Sequence, residues 1–196
     1  MSKKPMFIVP GYKHSPTSKA YKAIATMLKS EGYRPIPVAI PWKQTTISQN
    51  TEYFLKKYKK IHARKKYIIG FSFGAMIAFL ASTKVNTSGL ILCSLSPYFR
   101  EDVKKTSINN ISPMGKLQHQ DFSKLKSSML ARQSKAKQTL LLYGARESKP
   151  LIRRVTKTYK QLVSTDKYLI QVRAADHNIG DKRYLQTIHQ IAKQLN

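Results

Sequence analysis

The pentapeptide at residues 70–74, Gly-Phe-Ser-Phe-Gly, is the part of the sequence best suited to chemistry. It follows the apolar run Tyr67-Ile68-Ile69 and precedes an apolar segment that begins near Phe73. A serine between two glycines fits a sharp strand-to-helix turn, because the missing side chains leave room for strained backbone. Free N–H groups at the start of the following helix can hold negative charge that develops nearby. The pattern therefore predicts that Ser72 is a nucleophile; the alternative is a tight turn with an exposed serine.

A serine hydroxyl is a weak nucleophile, so a base must remove its proton and a third group must orient that base. The chain has five histidines: His14, His62, His119, His177 and His189. His177 lies in a polar turn between the last predicted strand and the last predicted helix. His62 and His189 fall within helical patterns, which is typical of packing or surface residues. His14 follows the first predicted strand closely enough to contact a substrate.

Short apolar runs alternate with segments of helical period, which predicts a parallel sheet buried on both faces by crossover helices. Six strands are predicted, at residues 6–10, 35–40, 67–70, 89–94, 139–144 and 168–172. Helices are predicted at residues 18–30, 47–62, 73–82, 150–163 and 182–195. The expected fold is a three-layer α/β/α arrangement around a mainly parallel six-stranded sheet. No repeat or linker divides residues 1–196, so one domain is expected.

Residues 96–137 do not follow this alternation, because they are polar and basic with only scattered apolar side chains. A connection of that length predicts a functional insertion, such as a cap or a mobile lid. One or two helices are expected in this segment, the favoured one at residues 122–134. Tyr98, Phe99, Met114 and Leu117 are the side chains of the segment that could cover an apolar acyl group.

The strand, the serine turn and the buried helix after it resemble the α/β-hydrolase superfamily, and the resemblance extends over nearly the whole chain. The family usually begins with two further strands, for which the six residues before Phe7 leave no room. The resemblance therefore implies a minimal member that lacks them.

The resemblance also implies the rest of a catalytic site. The family places its base after the last strand, where His177 lies, and its acid in the loop that Glu147 occupies three residues after Gly144. The chain order Ser72, Glu147, His177 agrees with the family. Most members use aspartate rather than glutamate as the acid.

Other carboxylates compete for the role of the acid. Glu101 and Asp102 follow the fourth predicted strand and are the main rivals. A surface salt bridge with Arg146 or Lys149 is the alternative role for Glu147.

The implied oxyanion hole consists of two backbone N–H groups, those of Tyr12 and Phe73. Tyr12 belongs to the loop after the first strand, in which Pro10 stands where many members have histidine. Possible substrate contacts are His14, Phe71 and Tyr98.

The charge of the chain is its most unusual property. Thirty-six lysines and arginines oppose nine aspartates and glutamates, for a net charge of +27. Such a surface attracts nucleic acid, anionic lipid or an acidic substrate at low salt. The basic clusters are dispersed and accompany no nucleic-acid motif, which argues against specific nucleic-acid binding.

Several classes of protein are excluded by composition. The single cysteine, Cys93, lies in an apolar run, so neither an intramolecular disulfide nor a cysteine metal cluster is expected. No metal-ligand or phosphate-cradling motif is present, and no cofactor is expected. No apolar stretch approaches the ~18 residues of a membrane span or forms a secretory core, so a cytoplasmic protein is expected.

Two functions follow from these observations. The first is a serine hydrolase that cleaves a small-molecule ester or thioester through an acyl-enzyme on Ser72. The second is a weakly active or inactive hydrolase-fold protein that binds anionic partners, nucleic acid or lipid, through its basic surface. The two functions combine if the positive charge of the protein surface attracts an anionic substrate to the hydrolase site.

Overall fold

The apolar runs of the sequence form the strands of one sheet. Over the residues that it describes, 4–103 and 115–195, the computed structural model contains six strands and eight helices. The strands are β1 (Lys4–Val9), β2 (Tyr33–Pro37), β3 (Tyr67–Phe71), β4 (Thr87–Cys93), β5 (Ala136–Gly144) and β6 (Lys167–Val172). The helices are α1 (Lys19–Ser30), α2 (Ile47–Lys59), α3 (Phe73–Ser82), α4 (Arg100–Val103), α5 (Gly115–Phe122), α6 (Ser127–Gln133), α7 (Lys149–Gln161) and α8 (Lys182–Gln194).

All six strands are parallel, in the spatial order β2-β1-β3-β4-β5-β6. The inner strands are mostly buried, which explains their nearly continuous apolar sequence. The edge strand β2 contains Pro35 and Pro37, which an edge tolerates because one of its sides needs no ladder partner. The predicted α/β/α fold with a parallel sheet is confirmed.

Helices cover both faces of the sheet. On one face, α1 and α8 pack through buried side chains that include Tyr21, Ile24 and Ile188. On the other face lie α2, α3 and α7, and every residue of α3 is buried. Burying one isoleucine or phenylalanine side chain stabilises a fold by about 1.5–3 kcal/mol, so the central helix α3 is firmly anchored. None of the described helices is long and apolar enough to cross a membrane.

The second strand lies earlier in the chain than the predicted range, residues 35–40. Its pairing with β1 ends where Pro37 lies opposite Ile8. Beyond that point Val38 N–H donates one bond to Ile8 O, at 2.9 Å, and β1 itself ends at Val9. Val38 and Ile40 are buried although they lie beyond the last strand pair. Their apolar side chains therefore extend the strand-like sequence pattern past the end of the strand.

The described part of the segment at residues 96–137 contains three helices, α4, α5 and α6, where one or two were predicted. The helix predicted at residues 122–134 is present as α6, which begins five residues later, at Ser127. The chain leaves α5 at Phe122 and enters α6 at Ser127. This break has a tertiary cause, because Leu125 O accepts a hydrogen bond from Arg100 N–H at 2.7 Å.

Part of this segment, residues 104–114, lies outside the described residues, and with it the predicted acyl contact Met114. The role of residues 96–137 as a cap or lid stays a prediction.

Candidate active site

Ser72 occupies a strained turn between β3 and α3. Its φ of 57° and ψ of −117° lie in a region that residues other than glycine rarely adopt. Three backbone bonds hold the turn: Ser72 N–H donates to Cys93 O at 2.9 Å, and Ser72 O accepts from Ala75 N–H at 3.0 Å and from Met76 N–H at 3.2 Å. The Ser72 side chain makes no capping bond to α3, so its hydroxyl is free for chemistry.

The glycines on either side of Ser72 are required by close backbone packing. A Cβ atom at Gly70 would lie less than 3.0 Å from the backbone of Gly74. A Cβ atom at Gly74 would come equally close to the carbonyl oxygens of Val9 and Pro10. The two glycines therefore let α3 start directly against the end of β1.

Ser72, His177 and Glu147 form one continuous chain of hydrogen bonds. His177 Nε2 lies 3.1 Å from Ser72 Oγ, and His177 Nδ1 lies 3.1 Å from Glu147 Oε1. The carboxylate side chain is fully buried, whereas the imidazole is 45% exposed. Because a carboxylate accepts hydrogen bonds only, Nδ1 donates to it, which leaves Nε2 to accept the Ser72 proton.

Backbone bonds between the loops after β5 and β6 hold the acid close to the histidine. Arg146 N–H donates to Ala175 O at 2.8 Å. Gly144 permits this approach, since a Cβ there would lie less than 3.0 Å from the Ala175 backbone. The His177 ring packs on Phe71, with 4.9 Å between ring centroids. Phe71, predicted as a substrate contact, thus lies under the imidazole.

The rival carboxylates have other partners. Glu101 accepts hydrogen bonds from the N–H groups of Ser127 and Ser128, at 3.2 and 3.3 Å. Asp102 forms an ion pair with Arg154 at 2.5 Å. Among the described residues, the carboxylate that contacts His177 Nδ1 is that of Glu147.

The proposed oxyanion donors, Tyr12 N–H and Phe73 N–H, belong to residues that line the cavity beside Ser72. Within residues 4–103 and 115–195 neither group has a hydrogen-bond acceptor. The preceding N–H, that of Gly11, donates to Tyr21 OH at 2.9 Å, which anchors the loop. Their role as oxyanion donors stays a prediction.

His14 lies behind this loop. Its Nδ1 is 3.1 Å from Tyr21 OH, and its ring stacks on Phe71 with centroids 5.9 Å apart. Burial, with a smaller contribution from nearby His177, lowers the pKa of His14, so its ring is neutral at neutral pH. Its predicted contact with substrate stays a prediction.

A cavity of about 400 Å³ opens beside Ser72. The residues that line it are Tyr12, Ser72, Phe73, Ser96, Pro97, Tyr98, Ser148, Leu151 and His177. No Asp, Glu, Lys or Arg is among these described lining residues. Of the side chains expected to cover an acyl group, Tyr98 lines the cavity, Phe99 is fully buried elsewhere and Leu117 is exposed.

Solved structures of several hydrolases are similar to the chain. A putative hydrolase from Agrobacterium vitis S4 has a TM-score of 0.85 at 16% identity, over 100% of this chain and 89% of its own. Est1E from Butyrivibrio proteoclasticus, with ferulic acid bound, has a TM-score of 0.82 at 14% identity, over 97% and 87%. MGS-MChE2, an alpha/beta hydrolase enzyme from the metagenome of sediments from the lagoon of Mar Chica, Morocco, has a TM-score of 0.77 at 15% identity, over 98% and 92%. The chain has the α/β-hydrolase fold. No protein-family model and no curated protein sequence matches it.

The α/β-hydrolase fold of this chain brings together the carboxyl ends of β3, β5 and β6, from which Ser72, Glu147 and His177 follow. Parallel α/β sheets commonly bind ligands at that edge. Two hydroxyls at this edge of the sheet, those of Ser94 and Ser96 in the loop after β4, were not predicted from the sequence. The one sequence feature that could have indicated them is their position directly after an apolar strand.

Ser96 contacts the predicted nucleophile, with its Oγ 3.0 Å from Ser72 Oγ. Each serine has a single O–H donor. Because the Ser72 proton is directed to His177, Ser96 donates to Ser72 Oγ. Ser72 Oγ is therefore held on two sides, by Ser96 and by His177.

Proposed function

We propose that the chain is a serine hydrolase that cleaves a carboxylic ester or thioester through an acyl-enzyme on Ser72. The observation that supports this most is the unbroken chain of 3.1 Å hydrogen bonds from Ser72 through His177 to Glu147. The Ser72 end of this series of hydrogen bonds lies at an apolar cavity that can admit an acyl group. Nucleophile, base, orienting acid and substrate space are therefore adjacent.

Acylation begins when Ser72 Oγ attacks the carbonyl carbon and its proton passes to His177 Nε2. The buried Glu147 carboxylate stabilises the imidazolium that forms. The N–H groups of Tyr12 and Phe73 hold the negative oxygen of the tetrahedral intermediate. His177 then returns the proton to the departing alcohol or thiol as the carbon–oxygen or carbon–sulfur bond breaks. The product of this step is the acyl ester of Ser72.

Deacylation repeats these steps with water as the nucleophile. His177 Nε2 accepts a proton from the water that attacks the acyl carbon, and then gives it to Ser72 Oγ as the ester bond breaks. Free acid and free enzyme are released. Because the same imidazole serves both halves, both rates depend on a neutral His177.

The cavity favours an uncharged acyl group. Its walls are mainly apolar and aromatic, with Phe73, Tyr98 and Leu151 near the nucleophile. A volume of about 400 Å³ lies at the small end of ligand pockets. The similar structure of Est1E holds ferulic acid, an aromatic acid, which supports testing aromatic esters beside short aliphatic ones.

A fluorophosphonate probe tests the proposal, because it reacts only with an activated serine. Labelling is expected in the wild type and should be absent in Ser72→Ala. Ser148→Ala is the matched control, because Ser148 lines the same cavity and its side chain makes no capping bond to α7. Labelling that is absent in the wild type, or that persists in Ser72→Ala, would refute the proposal.

A second candidate function, binding of an anionic partner, is supported by a basic cavity on another part of the surface. This cavity, of about 310 Å³, is lined by Lys59, Arg64, Lys66 and Lys137, with no carboxylate among its described lining residues. Lys66 donates to Ile61 O at 3.1 Å, and burial lowers its pKa. The three exposed cations of this cavity, Lys59, Arg64 and Lys137, are therefore better able than Lys66 to bind an anion.

Fluorescence anisotropy with a random DNA duplex tests this candidate. The variant Arg64→Gln/Lys137→Gln should bind more weakly, with a shallower salt dependence, than the control Lys19→Gln/Lys22→Gln on the opposite face of the sheet. Equal loss in both variants would indicate diffuse attraction to the whole basic surface. Absence of binding at about 0.15 M salt would exclude the candidate.

A further inference from the structure

Ser94, the first residue after β4, has an unusual conformation for a buried serine. Its φ is 51°, in the left-handed region, and it is fully buried. Ser94 N–H donates to Leu142 O at 2.7 Å, so the sheet fixes its backbone. A non-glycine residue is strained there, and such strain persists where surrounding contacts hold it and often marks a functional site.

The Ser94 hydroxyl joins the catalytic acid to the last helix. Ser94 Oγ donates to Glu147 Oε1 at 2.5 Å, and the same Oγ lies 2.8 Å from Tyr184 OH. A serine has one O–H donor, and here the carboxylate receives it, so Tyr184 must donate to Ser94. Burial raises the pKa of Tyr184 well above its ordinary value, so its phenol stays protonated and can donate. Tyr184 thus donates to Ser94, and Ser94 donates to the Glu147 carboxylate.

The two oxygens of Glu147 are held unequally. Oε1 accepts from Ser94 and from His177, whereas the buried Oε2 has no hydrogen-bond partner among the described residues. Without Ser94, His177 would be the remaining hydrogen-bond partner of the carboxylate among these residues. The carboxylate could then rotate and present either oxygen, and the imidazole would lose its fixed tautomer.

We propose that Ser94 and Tyr184 are positioning residues of the site, which hold Glu147 Oε1 against His177 Nδ1 and so keep Nε2 facing Ser72. This inference rests on the proposed function. It adds a connection from α8 to the nucleophile that passes through four hydrogen bonds and needs no further charged group.

The titratable groups around Glu147 and His177 should interfere little with a pH profile of the site. Burial raises the pKa of Cys93 far above its ordinary value, and His14 has a lowered pKa, so both are neutral near pH 7. Asp176 and Arg146 are exposed neighbours in sequence of His177 and Glu147. Solvent weakens their influence on the buried carboxylate.

The test compares two kinds of variant. Ser94→Gly removes the hydroxyl while glycine accepts the positive φ without strain, and Ser94→Ala removes it with the strain retained. Tyr184→Phe removes only the phenol oxygen. Tyr33→Phe is the matched control, because Tyr33 is equally buried and its OH donates to Ala192 O of α8, away from the site.

The expected result is a fall in kcat/KM of about 10- to 100-fold for both Ser94 variants and a smaller fall for Tyr184→Phe. The acid limb of the pH profile should also move, because the carboxylate that pairs with the imidazole loses one of its two hydrogen-bond donors. The double variant Ser94→Gly/Tyr184→Phe should resemble Ser94→Gly alone, since both act through one hydroxyl. Tyr33→Phe should lose stability only.

NMR of the ¹⁵N-labelled His177 ring separates this inference from the proposed function. Loss of the fixed Nδ1–H tautomer in Ser94→Gly supports positioning whether or not the wild type turns over a given ester. An unchanged tautomer and an unchanged pH profile in both Ser94 variants would overturn the inference. A wild type that resists the fluorophosphonate probe would instead overturn the proposed function.

Discussion

Replacing Asp102 with alanine is expected to lower the free energy of unfolding by about 3–5 kcal/mol while Ser72 stays reactive. Asp102 accepts hydrogen bonds from Arg154 Nε at 2.8 Å and Nη2 at 2.5 Å, and from Phe99 N–H at 3.1 Å. Arg154 is 2% exposed, so its charge stays largely buried once the carboxylate is gone, with the Ser127 hydroxyl as a neutral acceptor beside it. A buried charge without its partner is among the most destabilising defects in a folded domain.

The magnitude is large enough to measure directly. Small domains unfold at a cost of about 5–15 kcal/mol, so this change removes about a fifth or more of the stability. With a urea dependence of about 2 kcal/mol per molar, the midpoint of unfolding should fall by about 1.5–2.5 M. Urea titration followed by far-UV circular dichroism gives the midpoint, and fluorophosphonate labelling of the folded protein gives the reactivity of Ser72.

The exposed ion pair between Glu52 and Lys84 supplies the control. Its atoms are also 2.5 Å apart, but both side chains are 55% exposed. Glu52→Ala should therefore cost less than about 1 kcal/mol. A midpoint for Asp102→Ala within about 0.5 M of the wild type would contradict the burial argument. Lost labelling in a folded Asp102→Ala, with labelling retained in Glu147→Ala, would make Asp102 the catalytic acid.

Three further predictions concern the turn, its neighbours and pH. Gly74→Ala should abolish labelling and lower the unfolding midpoint, because its Cβ would overlap the carbonyl oxygens of Val9 and Pro10; a fully active variant would contradict the geometry of the turn. Ser96→Ala should slow labelling by about 3- to 10-fold, since Ser96 orients Ser72 Oγ for attack while the Ser72 proton passes to His177, and an unchanged rate would remove it from the mechanism. Burial, and to a smaller extent His177, lower the pKa of His14 in the folded state from 6.5. As pH falls, His14 therefore takes up a proton in the unfolded chain before it does so in the folded protein. The stability that the neutral His14 contributes to folding is present above pH 6.5 and is lost as pH falls below that value. The urea midpoint of the wild type should fall more between about pH 7.5 and about pH 5 than that of His14→Gln, and equal falls would contradict this role.

The parts of the molecule that the sequence predicted best are those with local causes. The helix after Ser72 begins and ends as predicted, at Phe73 and Ser82, because glycine spacing and an unbroken apolar run both act over a few residues. The late start of the helix predicted at residues 122–134 depends on a bond from Arg100 to Leu125, which no local pattern reports. Tertiary contacts of this kind override helical periodicity.

The contacts of Ser94 and Ser96 could not be predicted for a similar reason. Ser94 reaches Tyr184 across 90 positions of sequence, and Ser96 reaches Ser72 across 24. A serine after an apolar strand has the same sequence signature whether it caps a turn or supports a carboxylate. Only the strand order distinguishes these roles.

The strand order explains why a single loop contacts both ends of the hydrogen-bond chain. β4 lies between β3, which leads to Ser72, and β5, which leads to Glu147. Its last residue, Cys93, pairs with Phe71 on one side and with Leu142 on the other. The loop after β4 is therefore adjacent to both Ser72 and Glu147. A register slip of one residue would shift these hydroxyls by about 3.3 Å, farther than a hydrogen bond can follow. The pairing of three buried strands thus sets the geometry of the site, and substitutions that weaken this pairing should reduce reactivity before they unfold the chain.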